Sequence, residues 1–280
     1  MSYTLVLEWM PGDLYMSAVT ARCTAPTSSY SVVWLPPNKV YQITLYCGST
    51  SLVSFLVGAF RGKAWSYMNL LAELKAERDS KYKGGLYHRT QILFAYNSNH
   101  IEGSRLTEEQ TRFIFETKSF FPEGEEPIRV DDVVETTNHF RLFDYMLDHA
   151  EEPLTEAMVK EYHRILKTGT TDAALTWFNV GEYKSVANTV GNIRTATPKQ
   201  VPIRMKALLS RWNQKSFHTW EELADFHYHF ETIHPFQDGN GRVGRMILFK
   251  ECLAYGLTPF VILDADKMLS PSRQNRQEKG

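Results

Sequence analysis

Cysteine is scarce: Cys23, Cys47 and Cys252 are the only three in 280 residues. Their number is odd and they lie far apart, which excludes a disulfide framework and a cysteine-based metal site and suits a reducing cytosol. A dominant charge is also missing. Formal net charge is −1, from 31 basic and 32 acidic side chains, so no global basic field marks a nucleic-acid binder. Nine histidines are present, yet no His-Glu-x-x-His spacing occurs. His227 and His229, two apart on a helix, point to different sides and are assigned core or hydrogen-bonded roles. No basic head precedes an apolar run at Met1, so no signal peptide is expected. Tyr41 to Phe60 is fairly apolar, but Gln42, Thr44, Ser49, Thr50, Ser51 and Ser54 interrupt it, and no membrane span is expected.

What is present is mostly helical pattern. Residues 68–268 read as one α-helical unit with short breaks. Met68 to Lys83 is amphipathic through Leu70, Leu71 and Leu74. Leu86 to Glu102 carries Ile92, Leu93, Tyr96 and His100 on roughly one side. Thr107 to Lys118, Asp131 to about Ala150, Thr155 to Lys167 and Pro198 to Gln214 follow. Thr107–Gln110 and Thr219–Glu222 read as capping boxes. Phe178 to Thr197 differs, with valines and threonines between Gly181, Asn188, Gly191 and Asn192, and reads as a hairpin. Residues 1–67 lack clear periodicity, and Leu269 to Gly280 is a polar tail.

The densest chemistry lies in His234-Pro235-Phe236-Gln237-Asp238-Gly239-Asn240-Gly241-Arg242-Val243-Gly244-Arg245. Helical pattern flanks it, from Glu222 to Ile233 and from Arg242 to Tyr255. The turn therefore opens a helix, where free backbone N–H groups and the dipole favour an anion. Glycines on either side of Asn240 let the backbone form a concave nest. Arg242 and Arg245 share one helix face and suit phosphate oxygens. Asp238 is placed to hold a divalent cation beside them. His234 is the candidate general base.

Upstream, Ser98 and Glu102 lie one turn apart on one helix face. Gly103 suits a left-handed C-terminal cap. Glu102 sits in the last helical turn, where the dipole disfavours a negative charge by about 0.3–1 kcal/mol, so a cationic partner would offset that cost.

The run resembles the Fic family, matching its His-x-Phe-x-Asp/Glu-Gly-Asn-Gly-Arg-x-x-Arg motif at every fixed position. The resemblance implies a mainly α fold, a Fic-type helical bundle with a β-hairpin flap at Phe178–Thr197 that pins a target polypeptide by strand-like pairing. Most Fic enzymes transfer AMP from ATP to a hydroxyl side chain of a target protein. His234 would then deprotonate the hydroxyl and Asp238 would bind Mg2+. Asn240 and the Gly239–Gly241 backbone would hold phosphates, Arg242 and Arg245 would grip the β/γ end of ATP, and Phe236 would anchor the loop. Relatives that transfer phosphate instead carry a lysine near the second glycine; Gly241 favours AMP transfer.

Ser98, Glu102 and Gly103 match the family's inhibitory Ser/Thr-x-x-x-Glu-Gly/Asn pattern, whose glutamate pairs with the second motif arginine, here Arg245. The expected organisation is an unassigned, poorly ordered leader at 1–67, a helical region with the inhibitory motif at 68–130, a Fic core at 131–268 and a polar tail at 269–280. The expected activity is autoinhibited AMP transfer to Tyr, Thr or Ser, including onto the chain itself. Removal of AMP by the same site is one alternative. A non-catalytic nucleotide-binding regulator is another, which the intact His234 argues against. ATP and a target protein at the flap are the expected partners, with no nucleic acid and no membrane. A homo-oligomer is left open, and a cytoplasmic location is expected.

Overall fold

The computed structural model describes strand backbone within residues 3–59, and residues 70–121, 127–190 and 193–264. Strands β1 (Tyr3–Glu8), β2 (Arg22–Cys23), β3 (Lys39–Cys47) and β4 (Thr50–Ala59) come first. Helices α1 (Leu70–Asp79), α2 (Leu86–Ile101), α3 (Glu108–Thr117), α4 (Val130–Asp148) and α5 (Glu156–Lys167) follow. The two-residue strands β5 (Thr189–Val190) and β6 (Ile193–Arg194) precede α6 (Val201–Trp212), α7 (Trp220–Ile233), α8 (Asn240–Ala254) and β7 (Phe260–Val261).

The helices start where local chemistry places them. Thr107 accepts from Gln110 N while the Gln110 side chain accepts from Thr107 N, and Thr219 and Glu222 do the same for α7. Each box satisfies two otherwise unpaired N–H groups. Gly103, just past α2, has φ +101°, a conformation that strains any residue with a Cβ.

Helix α8 is the centre of the molecule and packs against α2, α4, α5 and α7. Its Val243, Met246, Ile247, Phe249 and Cys252 are buried. Phe249 stacks on Phe94 of α2 at 5.3 Å and meets Phe143 of α4 edge-on at 5.2 Å. Such pairs add about 0.5–1.5 kcal/mol beyond the area they bury. A helix buried all round must also match its charges. Lys250 meets Glu251 at 2.7 Å, and Trp212 Nε1 donates to Glu251 at 2.6 Å.

The expectation of a helical bundle with a β-hairpin flap is corrected here. The chain is mainly α, but it also carries a five-stranded antiparallel sheet in the order β2-β1-β3-β4-β7. Four of its strands lie within the stretch read as a leader, and Tyr41–Phe60 falls largely in β3 and β4. Among the described residues of Phe178–Thr197 no extended flap forms. Its only described strand residues are β5 and β6, with two paired positions, Thr189 with Arg194 and Val190 with Ile193.

The reason lies in the polar side chains. The Asn188 amide donates to Phe236 O at 3.1 Å, and Lys184 Nζ donates to Asn188 Oδ1 and Thr195 Oγ1 at 2.6 and 2.7 Å. The first bond ties the segment to the neighbouring loop, and the other two join polar side chains within the segment in competition with a strand ladder. Among the described residues no helix is long and apolar enough to cross a membrane. The tail at 269–280 lies outside the described residues.

Candidate active site

Helix α7 ends at His234, which takes a left-handed conformation at φ 51° and ψ 64°. For a residue with a Cβ this costs about 1–3 kcal/mol. Pro235 then bars further helix. The loop closes on itself through Asn240, whose Oδ1 accepts from Phe236 N at 2.7 Å and whose Nδ2 donates to Phe236 O at 2.9 Å. Both ends of that amide therefore shape the loop. Gly239 sits at φ +77°, and a Cβ there would meet Leu166 at 3.2 Å.

Phe236 is fully buried and stacks on His163 of α5, with ring centroids 4.0 Å apart. His163 Nδ1 accepts from Gly181 N at 2.9 Å. Lys184 N donates to Pro235 O at 2.9 Å. The loop is thus pinned at Pro235 and Phe236 by the segment that precedes α6.

An ionic network lies beneath the loop. Asp238 Oδ2 accepts from Lys167 Nζ at 2.8 Å and from Arg242 Nη2 at 3.1 Å. Burial works against its charge, but Arg242 and Lys167 outweigh it and hold the carboxyl well below the usual range. Lys167 is almost wholly buried and also bonds Glu135 Oε1 at 2.5 Å. Arg242 pairs with Glu135 Oε2 and lies 3.4 Å from Asn99 Oδ1.

Sequence reading missed Lys167 and Glu135. The signal was weak but present: Lys167 follows His163 by one turn, and Glu135 precedes Leu142 by two, so each charge lies on a stripe that is otherwise core.

Arg245 turns toward α2. Its Nε donates to Ser98 Oγ at 3.0 Å, and its Nη2 donates to Ser98 O at 2.9 Å and to Glu102 Oε1 at 2.7 Å. Burial opposes the Glu102 charge, but Arg245 and Arg242 hold its carboxyl below the usual range. A Cβ at Gly241 would collide with the Glu102 carboxylate, so that carboxylate occupies the mouth of the nest at the start of α8. Gly103 stays at the helix end and its N–H reaches His100 O at 3.0 Å. His234 is mostly buried, and burial followed by Lys184 pulls its imidazole down to about 4.

Ser98, Glu102, His234, Asp238, Asn240, Arg242 and Arg245 thus converge on one loop and one helix end. No group of three or more His, Cys, Asp or Glu side chains able to hold a metal occurs among the described residues. Asp238 nevertheless fits a magnesium ion shared with phosphates. It is ionised, 47 % exposed, and takes both of its cationic partners on Oδ2. Magnesium typically takes one or two carboxylates plus phosphate oxygens.

Residues 153–251 match the profile of the Fic/DOC family. This match spans α5 through most of α8 and makes that part of the chain similar to Fic/DOC proteins. The chain is similar to the protein adenylyltransferase Fic of Nematostella vectensis, 29% identical over 176 residues, or 61% of this chain and 40% of that protein. It is 27% identical over 232 residues to the protein adenylyltransferase fic-1 of Caenorhabditis elegans, covering 81% of this chain and 44% of that one. The chain therefore spans less than half the length of these curated relatives. Its fold is similar to the crystal structure of a Fic-domain-containing signalling protein from Bacteroides thetaiotaomicron. The TM-score is 0.57 at 29% identity, over 70% of this chain and 77% of that one.

Proposed function

We propose that this chain transfers AMP from ATP to a hydroxyl side chain of a target protein, itself included, and that Glu102 holds the activity in check. The observation that carries this reading is the grip of Ser98 and Glu102 on Arg245 beside His234 and Asp238. The neutral His234 imidazole takes the proton of the attacking hydroxyl at Nε2. The hydroxyl oxygen bonds to the α-phosphorus in line, and the bond to pyrophosphate breaks. The N–H groups around Gly239, Asn240 and Gly241 hold phosphate oxygens at the start of α8. Arg245 binds the γ-phosphate once Glu102 releases it, and Arg242 adds its charge from beneath the loop. Asp238 would hold Mg2+, which would supply positive charge to offset the negative charge on the phosphate oxygens.

In this reading Glu102 and the terminal phosphate compete for one guanidinium and one helix N-terminus. With Glu102 in place, ATP binds in a pose that does not present its α-phosphorus to the hydroxyl. The scattered cysteines support a reducing compartment such as the cytosol. The test is incubation of wild type and Glu102→Gly with Mg2+ and ATP labelled at the α-phosphate, followed by mass spectrometry for added AMP. Label on protein, stronger in the variant, is expected. Nucleotide binding without label in either protein would leave a non-catalytic regulator, and loss of AMP from a modified protein would assign the reverse reaction.

A further inference from the structure

Nδ1 of His234 and Oε1 of Glu231 are among the buried polar atoms near the site that lack hydrogen-bond partners, with Gln237 Oε1 and Arg242 Nε. Buried polar groups are rarely left unmatched, and an exception asks for an explanation. The first two are complementary, since an imidazole N–H donates and a carboxylate accepts. They lie three residues apart at the end of α7, with Oε2 of Glu231 4.0 Å from Nδ1 of His234. Glu231 has room only because α8 carries no side chain beneath it. A Cβ at Gly244 would stand 2.6 Å from Glu231 Oε1. Gly244 lies between the two motif arginines, at a position the motif leaves free.

We infer that Glu231 positions His234, its carboxylate accepting the Nδ1 proton so that the Nε2 lone pair faces the incoming hydroxyl. Its catalytic consequence rests on the AMP-transfer reading; the contact itself does not. The 4.0 Å separation is the kind of loose approach that tightens when substrate fills a site. When His234 takes the hydroxyl proton, the imidazolium is stabilised by the adjacent carboxylate, and no proton passes to Glu231.

The surrounding charges decide the pH at which this works. Arg245 faces Glu231 from α8 and Glu102 faces it from the end of α2. His227 lies one turn back on α7 against Gly244, and His234 is faced by Lys184, Glu102, Asp238 and the backbone carbonyl of Glu231. Burial pushes the Glu231 carboxyl up to about 7, with Arg245 pulling it down and Glu102 pushing it up. His234 stays neutral across that range. Ionised Glu231 selects the Nδ1–H tautomer. Protonated Glu231 instead donates to Nδ1 and drives the imidazole proton onto Nε2, where the base is blocked. The acid limb of the reaction then belongs to Glu231.

The experiment uses the full chain carrying Glu102→Gly, alone and combined with Glu231→Gln or Glu231→Leu. Imidazole tautomers are read by 15N NMR, AMP transfer is followed from pH 5.5 to 9 in about half-unit steps, and circular dichroism checks folding. The expected result is an Nδ1–H tautomer at high pH and an acid limb near neutrality with Glu231 present. Glu231→Gln should keep the tautomer, because its amide oxygen still accepts, but lose the limb. Glu231→Leu should mix the tautomers and slow transfer by about 10²-fold, the scale of a mispositioned group, with ATP affinity unchanged. An unchanged tautomer and pH profile in Glu231→Leu overturns the inference. A tautomer change in proteins that transfer no AMP removes the activity reading and leaves the contact standing.

Discussion

Glu102 and Arg245 are 143 residues apart in the chain and meet at 2.7 Å at the start of the central helix. The same guanidinium also holds both the hydroxyl and the carbonyl of Ser98. One side chain therefore joins the end of α2 to the first turn of α8, where an anion is most favoured. A carboxylate from the chain itself sits where a phosphate would be expected to bind.

Removing that carboxylate should release the site. Glu102→Gly should raise AMP transfer, including self-modification, by about tenfold or more, the factor for freeing a contact of about 1.4 kcal/mol. Arg245→Ala should show no such gain, because it removes the phosphate ligand together with the restraint. Initial rates with labelled ATP at low and saturating concentration measure both. Equal rates in wild type and Glu102→Gly would falsify the autoinhibitory role.

His234→Ala should bind ATP nearly as well as its parent and lose transfer by about 10²–10⁴-fold, the usual worth of a positioned general base. Isothermal titration separates binding from rate. Undiminished transfer would place the base elsewhere.

Asp238→Asn should lose magnesium-dependent tightening of ATP binding. The prediction follows from an ionised carboxylate that is half-exposed at the loop and from the preference of magnesium for one carboxylate plus phosphates. A magnesium titration in which the variant matches wild type would move the ligand to another residue.

Lys167→Met should destabilise the fold. The change leaves Glu135 without one of its two cationic partners and Asp238 without one of its own. Because both carboxylates keep Arg242, the loss should fall below the about 3–5 kcal/mol of a buried charge left without any partner. Denaturant midpoints read the loss, and Lys167→Arg should recover part of it. A midpoint unchanged in Lys167→Met would mean that the network contributes no net stability.

Glu231 predicts a pH effect of opposite sign to most carboxylates. Its folded-state pKa is raised to about 7 from 4.5, so the native state holds a proton that the unfolded state releases between those values. Stability should fall as pH rises from about 4.5 to about 7, by roughly 3 kcal/mol. Glu231→Gln should flatten that slope and be more stable than wild type at pH 8, although it loses the acid limb of transfer. Urea unfolding of both proteins at pH 5 and pH 8 tests it; parallel behaviour at the two values would contradict a buried, proton-holding carboxyl.

Local chemistry was legible in the sequence. Both capping boxes, the left-handed cap at Gly103 and the nest around Asn240 depend on contacts within about four residues, a range that residue spacing encodes directly. The hairpin reading failed because valine, threonine, asparagine and glycine in alternation suit two outcomes. Asn188 and Thr195 can extend a ladder or bond to nearby backbone and side chains, and only the proximity of Phe236 and Lys184 selects the second.

The sequence by itself determined the loop between α7 and α8, the helix ends and the residue types able to bind phosphate. Tertiary structure decided which charges meet. Glu135 lies 107 residues from Arg242, and Lys167 lies 71 from Asp238. No periodicity links such positions. Only the packing of α2, α4 and α5 around α8 brings them together, and the cost of burying a charge alone then requires that they pair.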